Sequence, residues 1–338
     1  MDRNVATVDV IAERPCSMDI SIIAIANQKG GVGKTTTAIN LSACLAERRK
    51  KVLLIDLDPQ ANATSGLGVE QISGRSMYPV LLGESSITEF IQPTDIRRLD
   101  LLPGEVDLAG AEVDIARTEH YLHPFKNALA PLSNNGQYDF IIVDCPPSLG
   151  ILTMNALTAS HGIIIPIQCE YYALEGLSVM TRLVRQLRDS GANPKLHISG
   201  IVMTMYDMRT NLSQQVVQEV ATHFGDRIFE TLIPRSVRLS EAPSFGRPII
   251  QYDGNCTGSV AYRNLAKEFL QRQVMSMTSE RGEGPNISQR ETVQDPIDHK
   301  THPGHPKSPT ADMHESSAEP LHQPVSEPAE HSEEQGQE

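Results

Sequence analysis

The sequence has no apolar run close to the roughly 20 residues that a membrane-spanning helix needs. Residues 1–20 mix charged and apolar positions and contain no continuous hydrophobic segment of the secretory type. The five cysteines include no Cys-x-x-Cys pair, which gives zinc and iron–sulfur sites little support. These absences predict a cytoplasmic protein with reduced thiols and no membrane partner.

Apolar side chains are scarce near the C-terminus. Residues 279–338 contain no aromatic residue, eight prolines, and 13 acidic against 4 basic residues. Such a segment cannot bury enough apolar surface to offset the entropy lost on ordering. We therefore predict a disordered acidic tail over residues 276–338 and a short N-terminal extension over residues 1–20. The remainder is close to neutral and can still carry a basic patch, although the net charge is −13.

Short apolar runs alternate with longer amphipathic stretches between residues 21 and 275. Strands that are apolar on both faces and separated by helices are typical of a parallel sheet with helices on both faces. The pattern predicts one α/β domain over residues 21–275 with a mostly parallel sheet. The predicted strands are 22–26, 52–55, 99–102, 140–143, 162–167, 198–203 and 229–233. The predicted helices are 34–49, 107–117, 119–132, 151–159, 174–190, 212–224 and 259–274.

A glycine-rich loop lies between the first predicted strand and the first predicted helix. Gly30, Gly31 and Gly33 are expected to adopt positive φ and to turn backbone N–H groups toward an anion. The N-terminus of the following helix adds the positive end of its dipole. The loop therefore predicts a P-loop nucleotide hydrolase.

Two residues of this loop are expected to bind phosphate and magnesium, and two others depart from the usual P-loop pattern. Lys34 is expected to reach the β- and γ-phosphates, and the Thr35 hydroxyl to bind Mg²⁺. The usual first glycine is replaced by Gln28, and Lys29 adds a second lysine.

Carboxylates follow two of the predicted strands. Asp56 and Asp58 end the strand 52–55, and Asp144 ends the strand 140–143. In open α/β sheets the ligand binds outside the carboxyl ends of the strands. A carboxylate there can hold the water shell of a magnesium ion.

Five segments together resemble a known family. Residues 29–36 resemble the deviant Walker A loop of the ParA/MinD ATPases, whose extra lysine defines them. The later motifs resemble the chromosomal ParA branch, often called Soj, and they lie at 56–64, 143–148, 168–176 and 233–244.

The resemblance implies ATP and Mg²⁺ as cofactors, and roles for particular residues. Lys29 would cross an ATP-sandwich homodimer to the nucleotide of the partner, and Asp58 would orient the attacking water, so the implied catalytic residues are Lys29, Lys34 and Asp58. The implied metal-binding residues are Thr35, Asp56 and Asp144. The implied nucleotide contacts are Lys29, Gly30, Gly31, Val32, Gly33, Lys34, Thr35 and Thr36, with Pro234 and Arg235 bordering the adenine.

DNA binding is also implied by the resemblance, because Arg209 and Arg238 lie in matching motifs. Arginine clusters can neutralise phosphates without reading bases. Further candidates are Arg182, Arg185, Arg188 and Arg247. On composition alone, a solvated surface with local ion pairs is the favoured interpretation of these arginines.

The sequence as a whole predicts an ATPase for DNA segregation. ATP would close a homodimer on non-specific DNA at the nucleoid, and a ParB-like partner would stimulate hydrolysis and release it. A MinD-like regulator on membranes is one alternative, although the C-terminus lacks a basic amphipathic helix. Electron transfer of the nitrogenase iron-protein type and a ParA-like ATPase that positions another cargo are the others.

Overall fold

The computed structural model describes residues 20–133 and 136–280, with side chains described as far as residue 276. All of these residues belong to one compact unit. The predicted N-terminal extension, apart from Ile20, and the predicted tail beyond residue 280 lie outside the described residues. The last helix runs to Glu280, five residues past the boundary predicted at 275.

A sheet of seven strands forms the centre of this unit, in the order β3-β4-β2-β5-β1-β6-β7. All neighbouring pairs are parallel except β3 and β4, which pair antiparallel at one edge. The strands are β1 (Ser21–Ile25), β2 (Val52–Asp56), β3 (Gln92–Pro93), β4 (Leu99–Leu102), β5 (Phe140–Asp144), β6 (Gly162–Gln168) and β7 (His197–Thr204). The predicted parallel sheet is confirmed.

The helices of the described residues follow the predicted alternation. They are α1 (Lys34–Glu47), α2 (Asn62–Gly66), α3 (Met77–Leu81), α4 (Leu108–Ala116), α5 (Pro124–Ser133), α6 (Ile151–Ala159), α7 (Ala173–Asp189), α8 (Asn211–Phe224), α9 (Val237–Glu241), α10 (Ile249–Tyr252) and α11 (Thr257–Glu280). Within the described ranges, no helix combines the length and apolarity that crossing a bilayer requires.

Helices cover both faces of the sheet, as predicted. Along β1, Ile22 and Ala24 join an apolar cluster with residues of α3 to α8. Ile23 and Ile25 point to the opposite face and join a second cluster, with α1 and α11. Because both faces are apolar, every central strand reads as a continuous hydrophobic run.

The predicted strand 229–233 was wrong. This segment runs beside β7 and is joined to it at single bridges, such as the one between Ile201 and Ile228. The backbone N–H groups of Glu230 and Thr231 instead donate to the carboxylate of Glu268 on α11, over 2.8 and 3.1 Å. A side chain from a distant helix therefore replaces the ladder that a strand would need.

Short elements and one helix start also differ from prediction. Helices α2, α3, α9 and α10 have only four or five residues, too few to show a 3.6-residue period. Helix α5 begins at Pro124 and not at residue 119. Proline favours the first helical position because its φ is already helical and its missing N–H has no partner to lose there.

We expect Glu268→Ala to lower the free energy of unfolding by about 2–4 kcal/mol, because two N–H groups and a cation lose their acceptor. That cation is Arg272, which donates to Glu268 over 2.9 Å. Urea unfolding measures the loss. Glu219→Ala on the exposed surface of α8 is the control and should change stability by less than about 0.5 kcal/mol. Equal stability of the two variants would contradict the proposed support of this segment.

Candidate nucleotide-binding site

The glycine-rich loop connects β1 to α1. Gly31 and Gly33 have φ of 73° and 87°, in the left-handed region that favours glycine. Gly33 is the N-cap of α1, and its carbonyl accepts from the N–H of Thr37 over 2.9 Å. The prediction that Gly30 adopts a positive φ was wrong. A Cβ at Gly30 would instead lie 3.9 Å from the Cβ of Pro147, where the loop passes the β5 end.

Two polar residues outside the motif hold this loop in place. The Asn27 side chain donates to the carbonyl of Pro166 over 2.8 Å and accepts from the N–H of Lys29 over 3.0 Å. The Thr204 hydroxyl at the end of β7 donates to the carbonyl of Val32 over 2.8 Å. Sequence reasoning missed both residues. Their position next to predicted strand ends was the signal that could have found them.

Lys34 is the buried cation of the loop, with only 6% of its surface exposed. Its Nζ donates to the carbonyl of Lys29 over 3.2 Å. Burial lowers the pKa of Lys34, and the charge of Asp144 opposes that shift. An anion in the loop would supply the counter-charge that this ammonium group needs.

The ends of β2 and β5 bring Asp56 and Asp144 side by side, because these residues are register partners. Both are fully buried. The Asp56 carboxylate accepts from the N–H and hydroxyl of Thr64, each over 2.8 Å, and from the N–H of Asp58 over 3.3 Å. Burial raises the pKa of Asp56 to about 6 despite these bonds.

Asp144 differs from Asp56 because neither of its oxygens accepts a well-formed hydrogen bond from the described residues. Burial and the charge of Asp56 raise its pKa well above the usual range, while Thr35 and Lys34 act in the opposite direction. An unpaired buried carboxylate close to a threonine hydroxyl is a hard oxygen donor set of the kind that Mg²⁺ prefers. Asp144 and Thr35 therefore fit a magnesium ion, and a direct bond from Asp56 stays a prediction.

Lys29 points away from its own loop. Its Nζ lies 2.7 Å from Oε2 of Glu170, which follows β6, and the two side chains are 47% and 44% exposed. The lysine is thus accessible from outside.

Two clefts border the predicted nucleotide residues. Thr35 and Thr36 line one of about 430 Å³, together with Asn40 and Arg247. Pro234 lines another of about 680 Å³ between the 230–234 segment and α11. Arg235 is exposed and its N–H donates to the carbonyl of Tyr206 over 3.0 Å. Of the residues that the structure describes, none lines both of these clefts.

Both arginines predicted to bind DNA are exposed and paired with carboxylates. Arg209 donates twice to Asp207, over 2.9 and 2.7 Å, and holds the pKa of that carboxyl at about 2. Arg238 contacts Glu241 at 3.3 Å and Asp253 at 3.8 Å. The further candidates are also exposed, and they are Arg182, Arg185, Arg188 and Arg247.

Cysteine ligation has no support from the site. Cys145 and Cys169 lie in the apolar core, and burial raises the pKa of both thiols. Ligation to a cluster takes the thiolate form, which burial disfavours. In the described part of the chain, no three His, Cys, Asp or Glu side chains are grouped to hold a metal ion.

Several known proteins are similar to this chain in sequence or in fold. Residues 20–198 match the family described as an AAA domain. Chromosome partitioning protein ParA of Caulobacter vibrioides is 47% identical over 255 residues, covering 75% of this chain and 95% of the relative. Sporulation initiation inhibitor protein Soj of Bacillus subtilis is 52% identical over 248 residues, covering 73% and 97% respectively.

A solved structure supports a nucleotide and a magnesium ion for this fold. It is described as cobyrinic acid a,c-diamide synthase from Mycobacterium smegmatis with bound ADP and magnesium. Its TM-score is 0.67 at 36% identity, covering 76% of this chain and 96% of that chain. The sequence identity of that synthase to this chain is lower than the identities of the two partitioning proteins.

We expect Asp144→Asn to stabilise the protein in the absence of nucleotide and magnesium, by about 1–3 kcal/mol at neutral pH. The folded-state pKa of Asp144 is raised, so ionisation costs stability. The gain should therefore be absent below the unfolded pKa near 4 and grow as pH rises toward the folded pKa. Urea unfolding across this pH range measures the gain.

Asp95→Asn, at an exposed carboxylate, is the matched control and should show no such pH-dependent gain. A loss of stability in Asp144→Asn would mean that attraction to Lys34 outweighs the cost of burial.

Proposed function

Because the chain belongs to the ParA/Soj family of chromosome-partitioning ATPases, we propose that it hydrolyses ATP to drive the segregation of DNA. One observation carries this proposal. Among the described residues, the buried ammonium group of Lys34 has no carboxylate ion pair, and it lies close to Asp144, a buried carboxylate without a well-formed hydrogen bond. Magnesium nucleotide carries both of the opposite charges that these groups need.

The nucleotide would occupy the loop with its phosphates against the N–H groups of residues 30–36. Lys34 would contact the β- and γ-phosphates, and Thr35 with Asp144 would hold the magnesium ion. Bound there, the ion neutralises charge that develops on the phosphate oxygens. Asp56 would support this arrangement through its bonds to Thr64.

Hydrolysis transfers the γ-phosphoryl group of ATP to water and releases ADP. The bond between the γ-phosphorus and its bridging oxygen breaks as the water oxygen attacks. Asp58 would orient that water, and its Oδ1 is fixed by the N–H of Gln60 over 3.0 Å. Buried at 5% exposure, Asp58 is held close to the loop end of the sheet.

Lys29 would complete the site of a second copy of the chain. Its side chain is half exposed and its backbone is fixed by Asn27. A lysine that reaches the nucleotide of a partner makes turnover depend on dimerisation, as an arginine supplied in trans does in other hydrolases. An ATP-dependent homodimer is therefore part of the proposal.

We expect Lys29→Ala to remain monomeric with ATP and to lose hydrolysis by about 10³-fold, the lower range for a cation supplied in trans. Binding of nucleotide to the single chain should be largely retained, because Lys34 is unchanged. Light scattering and phosphate release measure the two effects. Lys195→Ala, at an exposed lysine, should behave as wild type; normal turnover in Lys29→Ala would remove the trans role.

Arg209 and Arg238 would bind DNA phosphates without reading sequence. Their pairing with Asp207 and Glu241 orders both side chains at the surface. The dimer doubles this positive surface, so DNA binding would follow ATP. In the cell, DNA binding would place the protein on the nucleoid in the cytoplasm, where a ParB-like centromere-binding partner would stimulate hydrolysis and release the dimer.

We expect DNA binding to require ATP and to fall steeply with salt, because bound phosphates release their counterions. Arg209→Ala and Arg238→Ala should each weaken binding and reduce the slope of log affinity against log salt by about 1 for each phosphate that is no longer neutralised. Titration of random-sequence duplex measures both effects. Arg117→Ala, at an exposed arginine that directly follows α4, serves as control.

Equal binding by the ADP form, or binding insensitive to salt, would contradict the DNA proposal. Co-sedimentation with anionic liposomes in place of DNA would favour the membrane alternative.

A further inference from the structure

The proposed trans lysine has a partner on its own chain. The Lys29 ammonium group lies 2.7 Å from Oε2 of Glu170, and the two residues are 141 positions apart in sequence. Strands β1 and β6 are neighbours in the sheet, so the loops that follow them meet at its carboxyl edge. The ion pair therefore bridges the nucleotide loop and the segment that leads into α7.

Hydrogen bonds hold the backbone of Lys29 on both sides, while its half-exposed side chain contacts Glu170. The N–H of Lys29 is bound to Asn27, and its carbonyl accepts from Lys34. Asn27 is in turn anchored to Pro166 on β6. Changing the partner of the Lys29 ammonium group therefore requires side-chain rotation alone.

We propose that Glu170 tethers Lys29 within its own subunit and so opposes formation of the ATP-bound dimer. This rests on the proposed role of Lys29 in trans. The Lys29 ammonium group lies against Glu170 in the single chain, and its insertion at the nucleotide of a partner would exchange that carboxylate for phosphate oxygens. Each dimerisation event must break two such ion pairs, one from each subunit.

Because the ion pair is half exposed, the tether would weaken dimerisation without preventing it. Half-exposed ion pairs are screened by water and contribute little. The triphosphate and its magnesium site offer Lys29 several charged oxygens in a drier environment, which a single carboxylate cannot match. Removing one tether should shift the monomer–dimer equilibrium by about two- to fivefold.

The test compares the full chain with Glu170→Gln, which keeps the size of the side chain and removes its charge. Sedimentation with a non-hydrolysable ATP analogue and Mg²⁺ gives the protein concentration of half-dimerisation. Glu175→Gln is the matched control, because Glu175 is an exposed carboxylate in the first turn of α7. Binding of fluorescent ADP reports on the single-chain site independently.

Because each dimer of Glu170→Gln lacks two tethers, we expect it to form at a protein concentration lower by about 4- to 25-fold, with unchanged ADP affinity and with Glu175→Gln like wild type. The difference should shrink at high salt, since screening weakens the tether. Glu170→Asp, with a shorter side chain, should fall between wild type and Glu170→Gln.

Wild-type dimerisation with no gain or with a loss in Glu170→Gln would overturn the tether and leave the proposed function standing. A wild-type chain that stays monomeric with the analogue would overturn both.

Discussion

Parallel pairing of β2 with β5 forces two buried carboxylates next to each other, and the chemistry of the site depends on this constraint. The Asp56 carboxylate accepts a hydrogen bond from Thr64 on α2. The described residues give Asp144 no well-formed hydrogen bond of this kind. A buried lysine from the neighbouring loop lies close enough to act on Asp144 without neutralising the pair. The site thus holds buried charge of both signs, and a metal–phosphate ligand would be the kind of group that satisfies both at once.

Much of the fold follows from the sequence because its signals are local. The central strands are continuous apolar runs, and the helices between them have long periodic patterns. The prediction of a strand at 229–233 was wrong because it rested on the apolar run alone. The carboxylate that accepts from two of its backbone N–H groups lies on α11, at sequence separations of 38 and 37 residues. Sequence patterns do not show which distant carboxylate will accept a given N–H.

The site divides in the same way. The glycine-rich loop and the strand-end aspartates could be predicted, because each is recognisable in a short continuous stretch of sequence. Asn27 and Thr204 could not, since their role depends on contacts with the Pro166 and Val32 carbonyls across the sheet edge. Likewise, Pro234 carries the motif of the family but lines a different cleft from Thr36.

Three cations that we propose to contact a partner chain or DNA are all paired with carboxylates of their own chain. Lys29 binds Glu170, Arg209 binds Asp207, and Arg238 binds Glu241. Each internal carboxylate reduces the entropy lost when the side chain is later fixed by a ligand, while competing with that ligand for the charge. Such surfaces favour reversible association over tight association.

The segment 229–233, predicted as the seventh strand, has a consequence for how copies of the chain can associate. It covers the outer side of β7, the last strand of the sheet, and Glu268 and Arg272 hold it there. An exposed edge strand is a template for pairing with another chain and for fibre growth. At this edge the segment accounts for some of those groups, since the N–H groups of Phe229 and Ile233 donate to the carbonyls of Ile201 and Met203 on β7, and fewer backbone groups stay open to a strand of another chain.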